Sequence, residues 1–387
     1  MVVVTNIVVG EEETQTSPAT ENTDLESTSW KEWPLLLVKG FLMGSADIVP
    51  GVSGGTLALI LGIYERLINA IKSANTRFLT RLLTFRWQAA FQVVHWKFLF
   101  MLFSGIVLAI IFFTRVVPLQ VYMFTKPELI FGLFFGLIVG SIYILVKVID
   151  ALDWRHGLFI LFGTLVGFWV VTLVPTDTPE TSLFVFFSGS IAICAMILPG
   201  ISGSYLLLIL RKYDYILSQV AALGESLEPV LVLLTFFAGA AVGLALFSRL
   251  LSWLLDRYYG FTLAVLIGFL IGSLYVIWPY QDRTYHETVR KTEIVDYDHP
   301  RAETLREHGP DKNRPEYERL GPVKTDGPEK RVEIQTIKQK MIKTTPYIPY
   351  LTREDAGTQH FWSGIIGMII GLAMVGGLDY LRSTELE

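Results

Sequence analysis

The chain has 387 residues, 52% of them hydrophobic, a mean hydropathy of +0.47 and a formal net charge of −4. Several apolar runs reach the roughly 18–20 residues that cross a bilayer, so the expected fold class is an all-α polytopic membrane protein. The slightly acidic balance, with no basic patch interleaved with aromatics, argues against a nucleic-acid partner, and the single Cys194 excludes an intrachain disulfide framework and a cysteine-based metal site.

Residues 1–33 read as a disordered acidic tail without a signal peptide. The first apolar block, 34–71, is broken at Val49-Pro50-Gly51-Val52-Ser53-Gly54-Gly55. Each arm is short for a full span, so the block is either a re-entrant helical hairpin or a pair of crossing helices. Residues 72–97 carry Lys72, Arg77, Arg81, Arg86 and Lys97 and no acid, which predicts a basic amphipathic helix on the cytoplasmic face. Spans are expected at 98–114, 128–146 and 157–174, with small-residue ridges (Gly132, Gly136, Gly140; Gly163, Gly167) that let helices approach closely in lipid. A second broken block, 183–217, is followed by spans at 230–248, 261–279 and 361–380, again with paired glycines (Gly239 and Gly243, Gly268 and Gly272, Gly367 and Gly371). Between the last two spans, residues 281–360 are charged and read as a soluble loop or small appended module.

The two broken blocks are copies. IVPGVSGGTLALILGIYERLI (48–68) aligns without gaps on ILPGISGSYLLLILRKYDYIL (197–217) at an offset of 149, with ten of 21 positions identical. The likeness continues into the spans, where Gly105…Thr114-Arg115 matches Gly239…Ser248-Arg249. Each half, 34–174 and 183–380, is thus a broken hairpin plus three spans, and an odd span number inverts the second half. The basic loop after the first hairpin and the acidic one after the second (Glu225, Glu228) place the N-terminus in the cytoplasm of a plasma or inner membrane and the 281–360 insertion outside.

Pro50 and Pro199 remove a donor and end the preceding helix. Gly51, Gly54, Gly55, Gly200 and Gly203 let the chain turn, so that helices starting near Gly54 and Gly203 aim N–H groups and positive dipole ends into the breaks. Ser53, Thr56, Ser202 and Ser204 add hydroxyls. The pattern predicts an anion site for phosphate or carboxylate, offered from each side. Arg115, Arg249 and Arg211 are candidate phosphate ligands, since a guanidinium fork binds two oxygens; interface snorkelling explains the same residues. Asp47, opposite Met196 in the second copy, is a candidate proton- or cation-linked group or the counter-charge of an arginine; Glu65, Arg66 and Asp214 are the other coupling candidates.

GSADIVPGVSGGTLALILGIYERLI, with its second copy MILPGISGSYLLLIL, closely resembles the polyprenyl-phosphate transporter family. The resemblance omits the tail and the insertion. It implies a flippase that returns a carrier such as undecaprenyl phosphate, or dolichyl phosphate in an archaeal host, from the outer to the cytoplasmic leaflet for envelope glycan synthesis. The implied partners are that membrane lipid and a proton or cation gradient, with no cofactor, and Gly51, Ser53, Gly54, Gly55, Gly200, Ser202 and Gly203 are its motif positions. The same residues also fit a secondary transporter or channel for a small anion. A membrane lipid phosphatase needs a nucleophile with a base or metal set; Ser53 and Ser202 lack a nearby His, and the six histidines show no paired ligand spacing.

Overall fold

A computed structural model of the chain describes residues 28–48, 53–74, 78, 80–81, 84–91, 93–117, 119–149, 151–173, 178–224, 226–326, 329–350 and 358–384. Most of the expected acidic tail, together with Pro50, Gly51, Arg77 and Glu225, lies outside the described residues.

The first block folds as α1 (Trp33–Asp47), α2 (Gly54–Ile60) and α3 (Tyr64–Ser73), followed by a short α4 (Trp87–Phe91). Next come α5 (Trp96–Arg115), α6 (Leu119–Thr125), α7 (Pro127–Val148) and α8 (Trp154–Val171). The second block gives α9 (Ser182–Ile197), α10 (Gly203–Ile209) and α11 (Lys212–Ala221), then α12 (Glu228–Arg257) and α13 (Tyr259–Ile277). Among the described residues, six helices are long and apolar enough to cross a membrane: α5, α7, α8, α12, α13 and the C-terminal α15 (Thr358–Thr384). Their starts follow local chemistry. Pro127 and Pro229 occupy first-turn positions that need no amide donor, and the Asp153 carboxylate caps the Arg155 and His156 amides of α8 at 3.0 and 3.1 Å.

Helices pair through glycine, because lipid supplies no hydrophobic drive between helices and close backbone approach must replace it. A Cβ on Gly136 of α7 would land on the Met368 carbonyl, and one on Gly371 of α15 on that of Leu133. Gly163 of α8 meets Val265 of α13, Gly40 of α1 meets Leu102 of α5, and Gly189 of α9 meets Phe236 of α12. In all four pairs the contacts advance together along both helices, so each pair runs parallel.

Neither second arm is one helix. α2 doubles back along α1, with the Gly54 amide donating to Asp47 Oδ1 at 2.6 Å and Lys39 Nζ donating to the Leu61 carbonyl at 3.0 Å. The chain then turns through Gly62 at φ +66° and bends 118° into α3. In the segment read as one amphipathic helix, Thr84 and Phe85 form a turn before α4.

The all-α expectation needs one correction. The insertion folds as a three-stranded antiparallel sheet of order β1-β3-β2, from β1 (Gln281–Asp296), β2 (Glu316–Asp326) and β3 (Glu329–Pro346), with α14 (Pro300–His308) between the first two strands. Val332 and Ile334 of β3 pack with Ala302 of α14 in a small core. Interleaved charges kept the apolar runs short, and a half-solvated strand needs only alternate apolar residues. The register from Gln281↔Pro346 to Asp296↔Arg331 makes the β1–β3 ribbon about 50 Å long.

Candidate functional site

The two breaks meet. α9 ends at Ile197, and its last carbonyls have no partner within the helix. Side chains of the first copy supply partners. Ser53 Oγ donates to the Met196 carbonyl at 3.3 Å, and the Tyr64 hydroxyl donates to the Ile197 carbonyl at 3.1 Å. In return the Gly200 amide donates to Thr56 Oγ1 at 2.9 Å. Ser53, Thr56 and Tyr64 are all buried, so this seam is a closed polar strip inside an apolar core. Gly200 sits at φ +80°, and a Cβ there would lie 2.8 Å from the Phe269 carbonyl, so conformation and space both require glycine.

The α2 end of the first break is satisfied by the protein itself. Gly54 donates to Asp47, Gly55 donates to Ser53 Oγ at 3.2 Å, and Thr56 N–H donates to the Ser53 carbonyl at 2.9 Å. A Cβ on Gly55 would stand 2.7 Å from the Ile197 carbonyl, which shows how tightly the two copies close. Asp47 therefore binds backbone, and among the described residues no arginine forms an ion pair with it.

The second break is open. Ser202 and Ser204 lie 3.0 Å apart, half-buried and exposed respectively, and Met196 is 50% exposed where the first copy has Asp47. Ser202 Oγ accepts the Tyr205 amide only at 3.5 Å, and Gly203 packs on the Ala192 carbonyl. Tyr205, which replaces Thr56, sends its hydroxyl to the Val171 carbonyl at the end of α8 instead, at 2.8 Å.

The arginines flank the breaks by register. Ser190 of α9 meets Gly243 of α12, so Arg249, six residues beyond Gly243, is level with Met196, six beyond Ser190. Arg115 stands six residues past Ala109, the residue that meets Gly44, and so about one turn beyond Asp47. Both are exposed, and Arg249 Nη1 donates to its own helix at Ala245, 2.5 Å away. Arg66 sits at the far end of the first hairpin, bonded to Glu32 at 2.8 Å and Thr28 at 3.0 Å over the Phe98 ring. Glu65, Arg211 and Asp214 are exposed at the outer ends of the short helices, away from the seam. Gly51 lies outside the described residues.

Three residues enter that sequence reasoning passed over. Lys39, the one basic residue of α1, holds the end of α2. Tyr64, whose signal was its identity with Tyr213 of the second copy, bonds across the seam. Lys212 is buried; its signal was its substitution for Ile63 of the first copy. Among the described residues no three His, Cys, Asp or Glu side chains gather to hold a metal ion.

Over residues 43–295 the chain matches the VCA0040-like, undecaprenyl phosphate translocase-like family. It is 38% identical over 245 residues to the polyprenyl-phosphate transporter of Vibrio cholerae serotype O1, covering 63% of this chain and 77% of that one. It is 32% identical over 259 residues to the polyprenyl-phosphate transporter of Staphylococcus aureus, covering 63% of this chain and 85% of that one. No solved structure matches it.

Proposed function

The chain belongs to the undecaprenyl phosphate translocase-like family, and on that premise we propose that it carries a polyprenyl phosphate from the outer to the cytoplasmic leaflet of the plasma membrane. The observation that carries the reading is the meeting of two related breaks, one closed on itself and one with an exposed hydroxyl pair. Irregular backbone at membrane depth belongs where it is buried in protein or lines a wet cavity. Here the described end of the first break, Ser53 to Thr56, is buried in protein, while the second break carries a half-buried and an exposed hydroxyl.

Two further observations support an inverted repeat with re-entrant hairpins. α7 and α8 turn back on each other, as do α12 and α13, while α8 and α13 run parallel; the matched helices α7 and α13 therefore run in opposite directions. α2 returns along α1 as far as Lys39, so the first hairpin goes back to its own side. Lys31, Arg66, Lys72, Lys97, Lys147, Arg155 and Arg257 all fall at the α1 N-terminal end, which supports the reading of that end as cytoplasmic.

In this mechanism the headgroup docks at Ser202 and Ser204, with Arg249 at the same level, while the polyprenyl tail stays in lipid. Rocking of the halves passes it to the first break, where the phosphate replaces the Asp47 carboxylate on the Gly54 amide. Protonation of Asp47 weakens its hold on that amide, and this links transport to a proton gradient. The test is the surface level of polyprenyl phosphate in cells lacking the protein, complemented with wild type, Ser202→Ala/Ser204→Ala or Arg249→Ala. Carrier should accumulate outside without the protein and with either variant. An unchanged level on deletion would sink the function, and full rescue by both variants would sink the site.

A further inference from the structure

The turn joining α10 to α11 breaks two local rules at once. Its counterpart in the first copy is Gly62-Ile63: Gly62 takes φ +66° and Ile63 is an apolar residue 3% exposed. The second copy keeps the backbone and changes the chemistry. Arg211 adopts φ +50°, a left-handed conformation that strains any residue with a Cβ, and Lys212 is 1% exposed. Two adjacent basic residues stand where conformation asks for glycine and burial asks for an aliphatic side chain. Such violations mark function more often than packing.

The surroundings fit an anion. Lys212 Nζ donates to the Thr178 carbonyl at 3.1 Å and lies 5.6 and 5.1 Å from the Phe184 and Tyr215 ring centroids. Thr178 Oγ1 donates to the Leu210 carbonyl at 2.5 Å, fixing the turn against the connection that precedes α9. Glu180 acts on Lys212 electrostatically, yet among the described residues no carboxylate comes within ion-pair distance of it. Among the described residues this covered ammonium is held by one neutral carbonyl, which leaves donors and charge for a ligand. The turn lies at the membrane end where α8 finishes and the β-sheet begins.

We propose that the Arg211–Lys212 turn is an anion-binding site for a phosphate monoester, the loading point of the carrier headgroup before it reaches Ser202 and Ser204. This rests on the transport reading above, and it predicts that the matching turn of the first copy, Gly62-Ile63 on the opposite side, is no anion site, since it has no charge to offer.

The test transplants the first copy's turn into the second. The full chain carrying Arg211→Gly and Lys212→Ile, in nanodiscs, is titrated with polyprenyl phosphate, polyprenol and inorganic phosphate. The Arg211→Gly change relieves strain, so Tm should hold or rise. Affinity for polyprenyl phosphate should fall at least about tenfold, as expected for losing charge-assisted bonds, with polyprenol binding unchanged and Lys212→Arg close to wild type. Competition by inorganic phosphate against wild type would show that the headgroup alone is recognised; competition by intact carrier lipid only would show that tail and headgroup act together, and either is compatible with the site. Equal affinity in the double variant overturns the proposal, as does a misfolded double variant combined with unaltered binding by Lys212→Gln. If wild type fails to prefer polyprenyl phosphate over polyprenol, the transport reading itself fails.

Discussion

The two Pro-Gly breaks share a sequence and differ in state. In the first, the hydroxyls and the α2 amide are engaged: Ser53 and Tyr64 on α9 carbonyls, Thr56 on Gly200, Gly54 on Asp47. In the second, Ser202 and Ser204 have each other and a long bond to one amide. Among the replacements that separate them are Asp47 by Met196, Gly55 by Ser204 and Thr56 by Tyr205. The lesson is that the shared motif makes the break and its neighbours decide whether protein or ligand fills it.

Substitutions that ignore this difference should be the most damaging. Gly55→Leu drives a side chain at the Ile197 backbone, which already stands 2.7 Å from where a Cβ would be. It should destabilise by about 3 kcal/mol or more and abolish transport. The matched Ser204→Leu points outward and should shift stability by less than about 0.5 kcal/mol. Unfolding curves of the two variants check this directly; equal losses would erase the closed-versus-open distinction. Next in size is Thr56→Val, which leaves the buried Gly200 amide unpaired at a cost of about 1–3 kcal/mol. Ser202→Ala should cost well under about 1 kcal/mol, because a half-buried hydroxyl can be replaced by water.

Asp47 sharpens the same comparison. Asp47→Asn keeps an acceptor for the Gly54 amide and loses the charge, so it should cost about 1 kcal/mol. If the carboxylate is the proton-linked group, transport in the variant loses its dependence on an imposed pH gradient while lipid binding persists. A pH-gradient response equal to that of wild type would remove Asp47 from the mechanism.

Much of the scaffold was readable because its causes are local. Apolar length named the six spans, and glycine spacing named the ridges that pair α7 with α15 and α8 with α13. The repeat located both breaks. Two things were hidden for physical reasons. The interlock depends on which carbonyls α9 leaves unsatisfied and on what reaches them across 133 to 144 residues of sequence, and periodicity carries no such partner information. The β-sheet was hidden because Val332, Ile334 and Ile337 are separated by polar residues, Glu333, Gln335 and Thr336, that suit its wet face. Arg115 and Arg249 were legible as cations, but their level relative to the breaks came only from helix register.

The smallest effects should come from the far end of the first hairpin, where the chain is held by an accessible ion pair instead of a buried seam. Arg66 and Glu32 are 2.8 Å apart with side chains 23% and 34% exposed, so water and salt screen them. A double-mutant cycle of Arg66→Gln and Glu32→Gln should give a coupling of about 0.2–1 kcal/mol that shrinks as salt rises. Tyr64→Phe, which removes the buried bond to Ile197, should cost about 1 kcal/mol independently of salt. That contrast makes the Arg66–Glu32 end of the hairpin the softer attachment and the seam the pivot. A salt-insensitive coupling larger than the Tyr64 effect would reverse the assignment and put the pivot at the Arg66–Glu32 end.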